Sequence, residues 1–319
     1  MSISAILVSW ALLAGVEQAT PQTASDDVTT VEDVIVDRRR LEEVARSYVE
    51  QLSEPPRGAR LARWNKPLCV SVSSMQPELA QFVIDRIAAN ALHVGADVGG
   101  PGCKPNVIIL ATSDGPGMAQ RLVREFHLGF RPAAEHTSPS RAALREFQNS
   151  GRPVRWWNVA IPIEISSGEI AARMYGDLLY PYGGSTPVAV QVRDGSRLRS
   201  NVRYDMAWTV IIIDMNRTGG VPLGVLADYV SMVSLAQIDP AADLSGQETV
   251  MNLFEGDAPV RGLTGWDKDY LAALYSAQPD RSDPRSQEAA VTRSLVQQRR
   301  AQQDQDNRLA EPPAASKRP

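Results

Sequence analysis

Three aspartates are the best candidates for acid–base chemistry in this chain. Asp205 and Asp214 belong to the strongest predicted strand, 202–215, and Asp228 belongs to a predicted buried helix, 221–238. Carboxylates on apolar elements are partly desolvated, which shifts their pKa values and makes them functional candidates. Salt-bridged aspartates with a structural role produce the same pattern, so both interpretations remain open.

A pair of adjacent tryptophans is the best candidate for a binding surface. Trp156 and Trp157 lie on a predicted strand, 154–164, beside Arg152 and Arg155. Successive side chains of a strand point to opposite faces, so one indole is expected to be exposed unless another layer covers it. An exposed indole beside arginines is suited to carbohydrate or protein contacts. Burial beneath the Pro- and Ser-rich segment 130–150 is the alternative.

The two cysteines are expected to form a disulfide. Cys69 begins a predicted strand, 68–73, and Cys103 just precedes another, 106–111, with a predicted helix at 76–93 between them. Strand–helix–strand predicts a parallel pair of strands, which brings both cysteines to the same end of the sheet. An oxidising compartment would favour a bridge there, whereas two buried free thiols are the alternative. A cysteine nucleophile is disfavoured because the bridge explains both residues.

The elements around these residues predict an α+β fold with a mixed β-sheet and a buried central helix. The alternating and then continuous apolar run at 202–215 is typical of a central strand. The segment 221–238 is apolar almost all round, as in a buried helix. We expect one domain over 33–277, with no internal repeat.

Both ends of the chain differ from this body. Residues 3–16 carry no charge and predict a signal peptide over 1–24, although a retained anchor or a packed helix would also fit. Residues 25–32 are small and polar, which predicts a flexible linker. Residues 278–319 have few apolar side chains and predict a disordered polar tail, or one that is helical only in part. The expected location is therefore periplasmic or secreted.

The last third of the chain resembles the carboxy-terminal layout of metzincin-like zinc peptidases. The strand at 202–215, the helix at 221–238 and an apolar turn with Met251 lead into LTGWDKDYLAALY at 263–275. The chain also resembles a family of uncharacterised exported bacterial proteins of that shape. The resemblance implies a zincin-like architecture over about 75 residues.

The sequence lacks the histidines that hold the metal in zincins at the corresponding positions. A zincin helix carries two histidines four residues apart, with a glutamate beside the first as general base. Here Ala227, Asp228 and Ser231 stand at those positions. The resemblance therefore implies a degenerate copy, and we expect no metal and no cofactor.

Charge and hydropathy argue against two further classes of protein, nucleic-acid binders and transmembrane proteins. The 33 basic and 37 acidic residues give a net charge of -4, which disfavours nucleic-acid binding by whole-chain charge. No second long apolar run follows the first, so no transmembrane domain is expected beyond the N-terminal signal. We predict a non-catalytic cell-envelope protein that binds an unknown protein or envelope component. The alternative is a metal-dependent, peptidase-like hydrolase with non-standard ligands.

Overall fold

The computed structural model describes residues 31–133, 136–172, 199–255 and 259–310. The chain divides into two units, residues 1–38 and 39–319. The predicted signal peptide, 1–24, lies outside the described residues, as does the linker 25–32 except for its last two residues, which begin the first helix. Within the described ranges, no helix is both long and apolar enough to cross a bilayer.

The described elements confirm the predicted α+β class. In chain order they are α1 (Val31–Leu52), β1 (Val70–Ser73), α2 (Pro77–His93), β2 (Val107–Thr112), α3 (Gly115–Glu125), α4 (His127–Phe130), α5 (Arg141–Asn149), β3 (Val154–Glu164), β4 (Val202–Asp214), α6 (Leu223–Leu235), a 3-10 helix (Val250–Phe254), α7 (Gly265–Ser276) and α8 (Pro284–Ala310).

The four strands form one mixed sheet in the order β1-β2-β4-β3. β1, β2 and β4 are parallel, and β3 joins β4 antiparallel at the edge. The parallel pair β1–β2 follows from the α2 crossover, which returns the chain to the same end of the sheet. The β3–β4 register shifts between Val159 and Ala160, where β4 has one extra residue, Ala207. The predicted mixed sheet is therefore confirmed.

The first face of the sheet is the side covered by α2 and α6. Ile109 of β2 and Ile211 and Ile213 of β4 are fully buried in one core with these helices. α6 is buried along its whole length from Leu226 onward, as its apolar sequence predicts. This face is closed over the central strands.

The second face, on the opposite side of the sheet, is covered only in part. Phe130 and Phe147 pack there with Trp157 of β3 and Ile212 of β4 in a smaller core. That cover ends before β2, where alternate residues of the strand remain only half-buried. Among the described residues, the second face is thus closed over β3 and partly open over β2.

The predicted disordered tail is wrong over most of its length. Residues 284–310 form α8, which buries Val291, Leu295 and Val296 in the main core. The Arg299 guanidinium lies 4.7 Å from the centre of the Trp266 ring on α7. The apolar stripe of α8 is short, but it is sufficient because α7 supplies the facing surface. Residues 311–319 lie outside the described part of the chain.

Candidate functional site

The structure explains Asp228 as a structural residue. Its carboxylate accepts hydrogen bonds from Arg86 Nε at 2.6 Å, Arg86 Nη2 at 2.7 Å, Asn90 Nδ2 at 2.9 Å and the Leu263 amide at 3.3 Å. Burial opposes ionisation, but the bonds from Arg86 and Asn90 outweigh it and hold the pKa of Asp228 below its ordinary value. Gly262 lies against the carboxylate at φ 140°, where an added Cβ would come within 2.5 Å of Asp228 Oδ2. Asp228 therefore joins α2, α6 and the loop before α7.

Two of the three positions that the zincin resemblance singled out, Asp228 and Ser231, contact α2. Ala227, Asp228 and Ser231 are buried, and Ser231 Oγ donates to the Ala227 carbonyl at 2.8 Å. Asn90 Nδ2 of α2 lies 2.9 Å from the same Ser231 Oγ. This side of α6 is consequently occupied by the neighbouring helix.

No cluster with the ligands of a metal site occurs among the described residues, counting groups of three or more His, Cys, Asp or Glu side chains. The three histidines lie on separate segments, with His93 ending α2 and His127 beginning α4. The third, His136, has its Nδ1 atom 2.7 Å from the Arg57 carbonyl oxygen.

The other two candidate aspartates are held at opposite ends of β4. Asp205 accepts hydrogen bonds from Asn65 Nδ2 at 2.6 Å and Arg203 Nε at 2.8 Å. Asp214 accepts the Gly115 amide at 3.1 Å and lies 3.4 Å from Arg217 Nε. They lie nine positions apart along the strand, a span of roughly 30 Å. The structure does not bring the candidate carboxylates together.

The prediction of an exposed indole is wrong. Trp156 is 4% exposed, and its Nε1 donates to the Ile238 carbonyl at 2.9 Å on the first face. Trp157 is 2% exposed on the second face, and its Nε1 donates to the Phe130 carbonyl at 2.8 Å. Phe147 packs on the same ring. Burial beneath 130–150, the alternative drawn from the sequence, therefore holds for Trp157.

The two arginines predicted beside this surface are engaged within the fold. The buried Arg155 donates through Nη1 to the Phe147 carbonyl at 3.4 Å and through Nη2 to the Ser150 carbonyl at 2.8 Å, which caps the end of α5. Its burial lowers the pKa of Arg155 despite the nearby Asp214. Arg152 Nη1 lies 3.5 Å from Glu255 Oε1. The predicted surface of Trp156, Trp157, Arg152 and Arg155 therefore does not form.

A small cavity beside Trp156 contains a titratable group that the sequence did not reveal. It has a volume of about 20 Å³ and is lined by Glu54, Trp156 and Asn158. That volume is enough for about one water molecule. Burial, aided by Asp239, raises the pKa of Glu54 to about 7. Glu54 lies two residues after the end of α1, in a segment with no recognisable motif, so the sequence gives no signal for it.

A concave groove lies on the open part of the second face, as the described residues show it. We call it the apolar groove. Its volume is about 670 Å³, within the ~300–1,000 Å³ range of ligand sites. Its main apolar walls are Ile108, Leu110, Leu122, Phe126, Trp208 and Val210.

The predicted disulfide is confirmed and borders this groove. Cys69 and Cys103 are bonded with their Cα atoms 6.0 Å apart, and both line the apolar groove. Gly99 lies against the bridge, since an added Cβ would come within 2.9 Å of Cys103 Sγ. The bridge ties the loop before β2 to the start of β1, and this fixes one wall.

The apolar groove has a charged end and an uncharged end. Of the described residues that line it, only Lys66 and Lys104 carry a charge. Lys66 precedes β1 and Lys104 precedes β2, so the parallel pairing places both at the same end of the sheet. Trp208 lies at that end too, where its Nε1 donates to the Gly129 carbonyl at 2.8 Å. Leu110 lies further along β2, toward the uncharged end.

The sequence does not indicate the apolar groove. The apolar runs of 106–111 and 202–215 predict strands covered on both faces, whereas β2 is only partly covered by the described residues. Comparison with models of protein families, with curated proteins and with solved structures found no match.

Proposed function

We propose that this chain is a non-catalytic binding protein of the cell envelope that holds an apolar ligand in the apolar groove. The observation that carries the proposal is the half-burial of Ile108 and Leu110 on a central strand. A central parallel strand normally has both faces covered, whereas the described part of the chain covers β2 only partly on the second face. An exposed apolar patch of this kind is typical of a binding site.

The chemistry of the lining supports binding. The described lining has neither a carboxylate nor an imidazole that could serve as a general acid or base. Its aliphatic and aromatic surface instead stabilises apolar groups, by about 0.8 kcal/mol for each methylene removed from water. The Trp208 indole is fixed by its bond to Gly129, so this part of the wall is pre-formed.

Export to the periplasm or the exterior is part of the same proposal. The Cys69–Cys103 disulfide supports it, because such bonds persist in oxidising compartments. N-terminal sequencing of the protein from a cell that exports it should find a mature chain beginning after Ala19 or Ala24. A chain that retains Met1 and two alkylatable thiols in the cell would contradict export.

Binding in the apolar groove is tested with a neutral fluorescent probe, N-phenyl-1-naphthylamine, and the full chain. Saturable binding at one site is expected. Leu110→Gln should weaken it by about tenfold or more, because a polar amide replaces the aliphatic wall. Leu79→Gln is the matched control, since Leu79 is a 43% exposed leucine on α2 that does not line the groove.

Circular dichroism and thermal melting of both variants establish that they are folded before binding is compared. The proposal is overturned if the wild-type chain shows no saturable binding, as expected if another part of the chain occupies the groove. It is also overturned if folded Leu110→Gln binds the probe as tightly as Leu79→Gln does.

A further inference from the structure

The distribution of charge along the apolar groove indicates which apolar ligand it takes. Both of its charged lining residues, Lys66 and Lys104, are cations and lie at one end. From that end the groove follows β2, past Ile108 to Leu110, with Val210 of β4 alongside. A ligand that matches this arrangement has an anionic head and an unbranched apolar tail.

The surroundings of Lys66 fit an anionic head group. Partial burial lowers the pKa of Lys66, and the nearby Asp205 opposes this shift. Asp205 itself accepts hydrogen bonds from Arg203 and Asn65. An ammonium group at the edge of an apolar wall interacts more strongly with an anion than one in open water, since the local dielectric constant is lower.

We infer that the apolar groove binds a free long-chain carboxylate, with its head at Lys66 and Lys104 and its tail along Ile108, Leu110 and Val210. This inference rests on the proposed function, because it requires that the groove is a ligand site. A carboxylate is a small, singly charged head, which fits an end that has two lysines and no guanidinium among its described residues.

Three ligands with the same tail and different heads test this inference. Dodecanoate, dodecanol and dodecyltrimethylammonium are used below their micellar concentrations to displace N-phenyl-1-naphthylamine from the full chain. Dodecanoate should bind about tenfold more tightly than dodecanol, and the cation should bind most weakly. The preference for dodecanoate should fall as salt is raised, because the charged end is open to solvent.

The double variant Lys66→Gln/Lys104→Gln locates the head group. It should bind dodecanol as the wild type does and lose most of the preference for dodecanoate. Lys268→Gln is the matched control, because Lys268 is an exposed lysine on α7 that does not line the groove. This variant should keep the full preference.

The outcomes separate the two proposals. If the probe binds but the three heads bind equally, the proposed function stands and the carboxylate inference is overturned. A preference that survives in Lys66→Gln/Lys104→Gln also overturns it, as does tighter binding of dodecyl phosphate than of dodecanoate. If neither the probe nor any tail binds, both proposals fail.

Discussion

Ile109 and Leu110 are neighbours on β2, yet they meet different surroundings. Ile109 points to the first face, where α2 and α6 bury it completely. Leu110 points to the second face, where it remains half-buried in the wall of the apolar groove. One strand therefore contributes both to a closed core and to an open surface.

The polar groups of the two faces differ in the same way. On the first-face side, the buried Asp267 accepts hydrogen bonds from Tyr48, Thr249, Thr264 and the Val250 amide. Beside the apolar groove, the charged groups are two exposed lysines at its rim. Satisfied buried networks fix a unique packing, whereas rim charges beside an apolar wall are suited to recognition. The difference agrees with our proposal that the second face binds a ligand, whereas the first face forms the stable core.

Removal of the disulfide should lower the free energy of unfolding more than any other change proposed here, because this covalent bond holds one wall of the groove. Cys69→Ser/Cys103→Ser should lose about 4 kcal/mol of unfolding free energy under oxidising conditions, from the loop of 34-residue separation that the bond closes. Urea denaturation measures the loss. In reducing buffer the variant and the wild type should become nearly equal, and an equal loss in both buffers would contradict this origin.

Asp267→Ala should have the next largest effect, through the first-face network. Removal of the carboxylate leaves the Tyr48 and Thr249 hydroxyls without their buried acceptor, at a cost of about 3 to 4 kcal/mol. The control is Asp269→Ala, which removes one ion pair with Arg299 whose side chains are about 20% exposed, and it should cost about 1 kcal/mol. Similar losses for both aspartates would show that the network contributes little.

The pair Ile109→Ala and Leu110→Ala tests the comparison directly on one strand. Ile109→Ala should lower the free energy of unfolding by about 3 kcal/mol, because Ile109 is fully buried and its truncation leaves a cavity in the closed core. Leu110→Ala should lower the free energy of unfolding by less, about 1 kcal/mol, since Leu110 is only partly buried and its removal opens no closed cavity. Chemical denaturation of both variants measures the difference. Equal losses would mean that the second face is as well packed as the first.

The smallest effect is expected at Glu54, in the cavity beside the edge strand β3. Its folded-state pKa of about 7 exceeds its ordinary value of 4.5, so ionisation destabilises the fold as the pH rises from 4.5 through 7. Glu54→Gln should therefore be more stable than wild type by about 1 kcal/mol at pH 8, after allowance for partial solvent screening. At pH 4.5 the two should be nearly equal.

Melting temperatures at the two pH values measure the Glu54 effect. Asp239→Asn removes the neighbouring carboxylate, so it should stabilise the protein in the same direction by a smaller amount. A stabilisation by Glu54→Gln that is identical at both pH values would contradict an electrostatic origin.

The sequence predicted the elements of the fold better than their contacts. The predicted strand at 202–215 is β4, and the predicted buried helix at 221–238 contains α6. The parallel pairing of β1 and β2 was sufficient to predict the disulfide. These features depend on local pattern and topology, which a single sequence carries.

The candidate site depended on contacts that no local pattern encodes. Trp156 and Trp157 are buried because distant segments cover them, one through Ile238 and the other through Phe130. The Asp228 carboxylate forms an ion pair because α2 places Arg86 against it, and the sequence does not show this contact. The apolar groove arises from an incomplete layer over β2, and apolar periodicity does not distinguish a covered face from an uncovered one. The likeness to zincins and the location of the protein remain predictions.

Helix α8 has a consequence for the order in which this chain can fold. Gln287 Nε2 donates to the Leu61 carbonyl at 3.0 Å, a contact between residues 226 positions apart. Arg60 likewise donates to the Arg281 carbonyl. The segment after α1 therefore reaches its final environment only when the segment 281–287 has been synthesised. Contacts of such sequence separation form late, so a nascent chain stays incompletely folded until α8 is available. For a polypeptide that must be threaded through a membrane before it folds, that delay would be an advantage.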